Sequence, residues 1–250
     1  ISQAVCAVWV MGFLMSEKAT LRLHWKNIRP DSRVMLAILG LGISPFIMSS
    51  TESLVGFVLN SSLVRFGDLY VSALAIMQSA MLFVSVPLVG FSQGFVPVVG
   101  YNYGHGDNGR VKECFRIVVK VMFFFNLSLV LFMILFPELV AGVFTDDALL
   151  IAAVGEYMPL FLAGMTIFGL QRACQNMFVA LGQAKVSVFI ALLRKVILLI
   201  PLVLLLSRLV GLEGVFAAEA ISDALAAVLC TAIFAYQFPR ILQRNVHATR

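Results

Sequence analysis

The amino-acid sequence predicts an all-α integral membrane protein built as a bundle of six transmembrane helices. Hydrophobic residues make up 61% of the 250 residues and charged residues 12%, whereas soluble domains contain about 45–50% and about 25%. A helix needs about 20 apolar residues to cross a bilayer, so this length holds six or seven spans joined by short loops. The net charge of +5 lies in particular loops, which membrane topology explains without nucleic-acid binding.

The chain divides into four segments. Residues 1–16 are apolar and lack the features of a signal peptide, so we interpret them as the end of a preceding transmembrane helix. Residues 17–33 alternate basic with apolar side chains, which predicts an amphipathic linker at the membrane surface. Residues 34–238 form the six-helix lobe, with spans at 34–64, 71–103, 114–136, 152–181, 186–206 and 214–238. Residues 239–250 form a tail.

The loops between the predicted spans alternate in charge. Basic residues cluster in 17–33, 104–116 and 239–250, whereas the loop 137–155 has three acidic residues and no basic one. The positive-inside rule therefore predicts that linker and tail are both cytoplasmic, which requires an even number of spans. In the acidic loop, Thr145 is expected to cap a short helix whose first turn carries Asp146 and Asp147.

Glu52 is the most informative residue of the first span. It lies in the run Ser49-Ser50-Thr51-Glu52-Ser53, where a charge at membrane depth costs about 2.5–3.5 kcal/mol. A carboxyl group buried there needs a proton or a cation partner. We interpret Glu52 as a substrate-binding or ion-coupling residue; the alternative is a protonated, hydrogen-bonded structural residue.

The fifth and sixth spans carry charges of opposite sign. Glu219 and Asp223 lie four residues apart on one helix face. Arg194 is expected to pair with Asp223 or to take part in transport, and Lys195 is expected to snorkel to the headgroups. Both readings of Arg194 and Asp223 remain open from the sequence.

Other polar and helix-breaking residues also lie within spans. Gln171 with Gln175, and Arg172 with Asn176, form i,i+4 pairs whose stripe must face protein or water. Gln78 is a further coupling candidate in the second span. Gly90 and Gly94 predict a close helix contact, and prolines are expected to kink or break helices; they are Pro45, Pro87, Pro97, Pro159 and Pro201.

Nothing in the sequence predicts a metal site, a disulfide or a catalytic centre. The four cysteines are far apart, without a CxxC spacing, and are interpreted as small buried hydrophobic residues. The three histidines lie in loops or the tail, and no HExxH motif is present. An intramembrane enzyme is therefore only a remote alternative, and no cofactor is expected.

The run 87–104, continued by Asn108-Gly109-Arg110-Val111-Lys112, closely resembles a signature of the multidrug and toxic compound extrusion (MATE) transporters. Further matches are 42–46 leading to Glu52, the run 179–185, Leu193-Arg194 and Ile200-Pro201. The similarity extends over nearly the whole chain and looks like the second six-helix lobe of a twelve-helix transporter, closer to the DinF-like and MepA-like branch. The motif positions are Pro87, Gly90, Gln93, Gly94, Pro97, Gly100, Tyr101, Asn102 and Gly104.

The resemblance implies a secondary active exporter in a bacterial inner membrane. Two lobes would enclose a central cleft and exchange amphipathic organic cations for protons or sodium ions by alternating access, with the N-terminal lobe as partner. The family's carboxylate on the first helix of this lobe carries over to Glu52. A second acid on the fourth helix, as in the NorM-like branch, is absent, so a sodium site in this lobe is not expected.

A flippase of lipid-linked cell-wall or polysaccharide intermediates is the main alternative, because such proteins share the general fold. Their cleft walls are usually more cationic, whereas Arg172 and Arg194 are the deep arginines here. We therefore carry multidrug export as the first hypothesis, with Glu52, Gln78, Gln171, Gln175, Arg194 and Asp223 as candidate substrate-binding or ion-coupling residues.

Overall fold

A computed structural model describes residues 2–16 and 32–248 of the chain, and within these ranges every regular element is helical. Two short 3-10 helices, Val64–Phe66 and Ala163–Ile167, and a π-helical segment, Leu193–Leu199, interrupt the α-helices. The α-helices are α1 (Ser2–Met15), α2 (Ser32–Leu63), α3 (Asp68–Gly104), α4 (Asn108–Leu135), α5 (Pro137–Gly142), α6 (Ala148–Leu162), α7 (Phe168–Ala180), α8 (Ala184–Leu192), α9 (Ile200–Leu209) and α10 (Leu212–Ala248).

The chain forms two compact units, Ile1–Phe46 and Ile47–Arg250. The first contains α1, whose apolar side chains are mostly exposed. Residues 17–31 of the predicted linker lie outside the described residues. The second unit holds the hydrophobic core, and every contact discussed below lies within it.

The predicted spans coincide with long helical segments. Five segments in the described part of the chain are long and apolar enough to cross a membrane: Asp68–Gly104, Asn108–Leu135, Ala148–Ala180, Lys185–Leu209 and Leu212–Gln243. They contain the second to sixth predicted spans almost entirely, and the 32-residue α2 overlaps the first. The helices are longer than predicted, and α10 continues to Ala248, through most of the segment expected to be a tail.

Close helix packing occurs at glycines other than those predicted. A Cβ on Gly164 would overlap the backbone of Ala220 in α10, and one on Gly169 would overlap the backbone of Met122 in α4. Gly90 and Gly94, in contrast, have no atom within 4 Å of a Cβ position. The predicted close contact at Gly90 and Gly94 is therefore wrong for this unit, because that face of α3 borders open space.

Two prolines lie beside the interruptions of the α-helices. Pro159 lies four residues before the 3-10 helix between α6 and α7, and Pro201 lies two residues after the end of the π segment. Proline lacks the N–H that would bond four residues back. Pro201 therefore leaves the carbonyl of Ile197 in the π segment without this bond, whereas Pro159 affects the carbonyl of Gly155, which lies before the 3-10 helix. Pro87 and Pro97, by contrast, lie inside the continuous α3.

Side chains on neighbouring helices bind carbonyl groups at these two interruptions. The fully buried Asn126 of α4 donates hydrogen bonds to the carbonyls of Met165 (2.8 Å) and Thr166 (3.1 Å) in the 3-10 helix. Ser222 of α10 donates to the carbonyl of Arg194 (2.8 Å) in the π segment. Such partners are needed because no water is available in the hydrocarbon region.

The acidic loop before α6 is capped differently from the prediction. Asp147 is the N-cap residue, and its carboxylate accepts a hydrogen bond from the N–H of Leu149 (2.9 Å). Thr145 accepts from the N–H of Asp147 (3.2 Å). Asp146 and Asp147 therefore both precede the 15-residue helix α6. Asp147 takes the capping position because its carboxylate reaches the free N–H groups of α6 directly.

Candidate functional site

A cavity of about 340 Å³ in the second unit collects charged side chains from several helices. We call it the charged cavity. Its apolar walls are Val55, Gly56, Leu59, Met81, Leu82, Phe161 and Phe168, and its polar residues are Glu52, Gln78, Ser85, Arg172, Arg194, Lys195 and Glu219.

Helical spacing places one stripe of α2 and one stripe of α3 on the charged cavity. On α2 the lining positions are 52, 55, 56 and 59, and on α3 they are 78, 81, 82 and 85. Both sets follow the i, i+3, i+4, i+7 pattern of a single helix face. Each stripe has a polar residue at its first position and apolar residues in the middle, so the cavity combines charge with apolar surface.

Four charged residues on one side of the cavity compensate one another. The Nε atom of Arg194 lies 2.6 Å from Oδ1 of Asp223, and the Nζ atom of Lys195 lies 3.1 Å from Oε1 of Glu219. Arg194 also approaches Glu219, at 4.0 Å. The predicted contact between Arg194 and Asp223 is therefore present, whereas Lys195 reaches inward to Glu219 and does not snorkel.

The π segment explains how two adjacent basic residues reach two acids on the same helix. A π-helical turn contains one residue more than an α-helical turn, so successive side chains diverge less around the axis. Arg194 and Lys195 can thus both face α10, where Glu219 and Asp223 lie four residues apart. The side chains of both acids are almost fully buried, at 2% and 1% exposure.

Burial makes this network costly to disturb. Removing one member of a buried ion pair leaves an uncompensated charge, which costs about 3–5 kcal/mol. Arg194 also lies over the ring of Phe168, with its guanidinium carbon 4.7 Å from the ring centroid. One oxygen of each acid, Oε2 of Glu219 and Oδ2 of Asp223, has no hydrogen-bond partner among the described residues.

Glu52 and Arg172 lie on the cavity without such compensation. Within the described part of the chain, neither forms an ion pair within 4.0 Å or a hydrogen bond. The charges that act on Arg172 are those of Arg194 and Glu52. Glu52 is exposed in this unit, and not buried as expected, because its face of α2 borders the open cavity.

Most polar side chains on α7 contact neighbouring helices and do not line the charged cavity. Gln171 and Gln175 are buried, as expected for residues that face protein, but neither lines the charged cavity. Gln175 donates to the carbonyl of Ser187 (3.2 Å), and Asn176 donates to the hydroxyl of Ser92 (2.7 Å). The second bond links α7 to the signature segment on α3.

The signature segment lines a second, apolar cavity of about 740 Å³ between α3 and α4. Pro87, Gly90 and Gly94 belong to its wall, with the edge-to-face pair of Phe91 and Phe125 at 5.4 Å beside them. The remaining motif positions lie elsewhere on α3: Gln93, Pro97, Tyr101 and Gly104 are exposed, Asn102 donates to the carbonyl of Val98 (2.8 Å), and Gly100 lies beside the backbone of Ala180.

The described residues contain no cluster of three or more potential metal ligands. The four cysteines are free; Cys174 and Cys230 are buried, as predicted for small hydrophobic residues, whereas Cys6 is exposed and Cys114 half-buried.

The structure thus brings together three of the six candidate residues, Glu52, Gln78 and Arg194, with Asp223 directly behind Arg194. Three charged cavity residues were not among the candidates: Arg172, Lys195 and Glu219. The cost of a charge at membrane depth was the signal that could have selected them.

Comparison with known proteins gives a consistent result. A family model described as MatE matches residues 45–205. Multidrug export protein MepA of Staphylococcus saprophyticus is 22% identical over 229 residues, which cover 91% of this chain and 50% of MepA. The chain therefore spans about half the length of the curated relatives it matches.

Solved structures also match nearly all of this chain and about half of their own length. The MATE multidrug transporter DinF-BH is 34% identical, with a TM-score of 0.77 over 96% of this chain and 54% of that one. An outward-facing MATE family transporter of the MOP superfamily gives a TM-score of 0.79 at 18% identity, over 97% of this chain and 55% of that one. The all-α membrane fold predicted from the sequence is confirmed.

Proposed function

Because this chain belongs to the MatE family, we propose that it forms one lobe of a bacterial secondary transporter that exports amphipathic organic cations in exchange for protons or sodium ions. Family membership places the chain among transport proteins rather than enzymes. The similar proteins are named multidrug export proteins and a multidrug transporter. The partner in this proposal is an N-terminal lobe of the same transporter, packed with this one in the lipid bilayer.

The observation that carries the proposal is the position of Glu52 on the charged cavity. Its carboxylate is exposed to the cavity and has no ion pair among the described residues, so it is available to a ligand. The apolar lining includes the half-buried Met81 and the exposed Leu82, which suit the apolar body of an organic cation. A carboxylate that binds either a proton or a cation gives two competing ligands, as exchange requires.

Alternating access would use the irregular helices. The 3-10 helix Ala163–Ile167 and the π segment Leu193–Leu199 each interrupt a membrane-spanning segment, and broken helices near a binding site are common in transporters. We place the transporter in the bacterial inner membrane, with linker and tail cytoplasmic. In a background without native cysteines, external thiol reagents should then label a cysteine at Asp147 and not one at Gly106.

The test is Glu52→Gln in the complete transporter, reconstituted in proteoliposomes with an imposed proton or sodium gradient. The amide keeps the shape of the side chain but cannot exchange its charge, so gradient-driven export of a cationic rhodamine dye should fall at least about tenfold, corresponding to about 1.4 kcal/mol. Glu113→Gln, at an exposed acid of α4 outside the cavity, is the control and should transport normally. Wild-type export by Glu52→Gln, with unchanged ion dependence, would contradict the proposal.

A flippase of lipid-linked intermediates remains the second candidate, and the three basic residues on the cavity favour it. Two of them are already occupied by acids of α10, which leaves Arg172 alone to face a pyrophosphate. Flipping of a fluorescent lipid-linked intermediate in the same proteoliposomes, without export of the rhodamine dye, would establish this alternative.

A further inference from the structure

We propose that a cavity at one end of the bundle binds the phosphate headgroup of an anionic phospholipid from the surrounding bilayer. The cavity has a volume of about 360 Å³ and shares no lining residue with the charged cavity. We call it the end cavity. Its polar lining residues are Tyr103, Gln183, Tyr236, Gln237 and Arg240. This site goes beyond the proposed function, because it holds a lipid of the bilayer and not a transported molecule.

The turn between α7 and α8 gives one wall of the end cavity a fixed backbone. Gly182 has a positive φ of 74°, a conformation that favours glycine. The N–H of Gly182 donates to the carbonyl of Val179 (3.0 Å), and that of Gln183 donates to the carbonyl of Phe178 (2.7 Å). These are the two bonds of a Schellman motif, so the backbone of Gln183 is held in place beside the cavity.

Arg240 gives the end cavity an uncompensated positive charge. Its guanidinium carbon lies 3.8 Å from the ring centroid of Tyr236, one turn earlier on α10, and this cation–π contact orients the planar group. Within the described part of the chain, Arg240 forms no ion pair within 4.0 Å, and none of the described residues that line the cavity is acidic. The charge therefore favours an anionic ligand.

Two amide side chains supply further donors beside Arg240. Gln183 and Gln237 line the cavity, and neither side chain forms a hydrogen bond within the described residues. Each amide group has two N–H donors, and the guanidinium group has five in a planar fork. The fork matches two phosphate oxygens through parallel hydrogen bonds, so the phosphodiester of a phospholipid, with its two free oxygens, suits this set of donors.

The position of the end cavity in the membrane favours a lipid over a soluble anion. Arg240 lies three residues before the end of the membrane-spanning segment Leu212–Gln243, and Tyr103 lies one residue before the end of Asp68–Gly104. The ends of spans lie at the level of the headgroups, where tyrosine is enriched and where basic pockets between helices bind anionic headgroups. The cavity therefore lies where phospholipid phosphates are found.

An exposed apolar face of α10 leads from the end cavity toward the middle of the span. Leu225, Leu229 and Tyr236 are 44%, 40% and 61% exposed in this unit, and their spacing places them on one helix face with Arg240. From Tyr236 to Leu225 this face extends about 16 Å along the helix, which matches one leaflet of a hydrocarbon core that is about 30 Å thick. A phosphate at Arg240 would thus place an acyl chain against this face, whereas a free phosphate would leave the face uncovered.

The experiment compares phosphatidylglycerol, which is anionic, with phosphatidylcholine, which has no net charge. Binding of each lipid to the purified complete transporter in a neutral detergent is measured by native mass spectrometry, for wild type and for Arg240→Gln. We expect the tightest-bound phosphatidylglycerol to bind the variant about 5- to 10-fold more weakly, as for loss of one basic residue at an anionic headgroup. Binding of phosphatidylcholine should not change.

Two further variants control for position and for folding. Arg208→Gln removes an exposed arginine at the end of the segment Lys185–Leu209 that lies away from the end cavity, and it should bind both lipids as wild type does. Gln237→Glu adds a negative charge to the cavity with little change in shape, so it should weaken phosphatidylglycerol binding at least as much as Arg240→Gln does. If Arg240→Gln fails to fold, unchanged phosphatidylglycerol affinity in Gln237→Glu overturns the proposal.

Three other results would also overturn the lipid site. Equal weakening of both lipids in Arg240→Gln would show that the arginine is structural. Displacement of the bound phosphatidylglycerol by inorganic phosphate would assign the cavity to a soluble anion. Equal affinity of the wild type for the two lipids would show that the cavity does not select a headgroup by charge. None of these results bears on the proposed function, because Glu52 and the charged cavity take no part in the test.

Discussion

The charged cavity has two sides: on one side the charged residues form ion pairs, and on the other they do not. On the side formed by the π segment and α10, each base is paired with a buried acid, and Ser222 binds the carbonyl of Arg194. On the side formed by α2 and α7, Glu52 is exposed and Arg172 is half-buried, and neither has an ion pair within the described residues. The first side is called the paired side below, and the second the open side.

Under the proposed function, this difference would separate the charges that stabilise the helix bundle from the charges that bind a ligand. Charges that hold helices together must be compensated internally, because an unpaired buried charge costs several kcal/mol. Charges that bind a ligand must stay uncompensated until the ligand arrives. Substitutions on the paired side should therefore reduce stability, and substitutions on the open side should reduce transport.

The largest stability effect is expected for Arg194→Leu on the paired side. It leaves Asp223 buried without its 2.6 Å partner, which should cost about 3–5 kcal/mol in the free energy of unfolding. Thermal unfolding of the purified complete transporter, and its yield as monodisperse protein, measure the effect. Arg194→Leu combined with Asp223→Asn should recover part of the loss, whereas full stability of Arg194→Leu alone would show that the pair contributes nothing.

The next largest effect is expected where α10 packs against the 3-10 helix. In Gly164→Ala the new methyl group would overlap the backbone of Ala220, and backbone cannot move aside as a side chain can. We expect a loss of about 1–3 kcal/mol, as for overpacked cores. The matched control is Gly94→Ala, where nothing lies within 4 Å of the added atom, and a comparable loss there would contradict the packing argument.

A comparable effect is expected for Asn126→Ala. The substitution removes hydrogen bonds to the carbonyls of Met165 and Thr166, which then lack this donor in an interior without water. Loss of a buried hydrogen-bond partner costs about 1–3 kcal/mol. Ser128→Ala, also on α4 but exposed and bonded to its own helix, should change the unfolding temperature little.

The elements themselves could be predicted from the sequence, because about 20 apolar residues in a row specify a membrane-crossing helix almost regardless of context. Helix ends were less predictable. Side-chain and backbone interactions decide them, as when Asp147 caps α6 in place of Thr145. The prolines predicted only kinks or breaks, and not the 3-10 and π segments that the structure contains, since the form of these segments depends on partners such as Asn126 and Ser222.

The candidate residues could be predicted in kind but not in arrangement. The cost of charge at membrane depth selected Glu52 and Arg194 as candidates, and both line one cavity, but this cost cannot say which charge is paired. Gln171 and Gln175 have the same polarity as Gln78, yet they pack against other helices, because neighbouring helices decide which face of α7 meets the cavity. Lys195 reaches inward to Glu219 because a π turn lets it face α10 together with Arg194. A π turn has no clear sequence pattern.

The smallest stability effect is expected for Glu52→Gln, although this substitution should reduce transport most. Its matched partner is Glu219→Gln. Glu52→Gln and Glu219→Gln are the same chemical change on opposite sides of one cavity. Glu219 is 2% exposed and accepts a hydrogen bond from Lys195, so its neutralisation leaves a half-buried ammonium group without this counter-charge and should lower the unfolding temperature clearly. Glu52 is exposed and unpaired within the described residues, so Glu52→Gln should stay within about 0.5 kcal/mol of wild type, as exposed substitutions usually do.

Thermal unfolding of both variants in the same detergent, with export of the cationic rhodamine dye measured in parallel, tests the assignment. A destabilised Glu52→Gln protein together with an unaffected Glu219→Gln protein would reverse the roles of the paired and open sides.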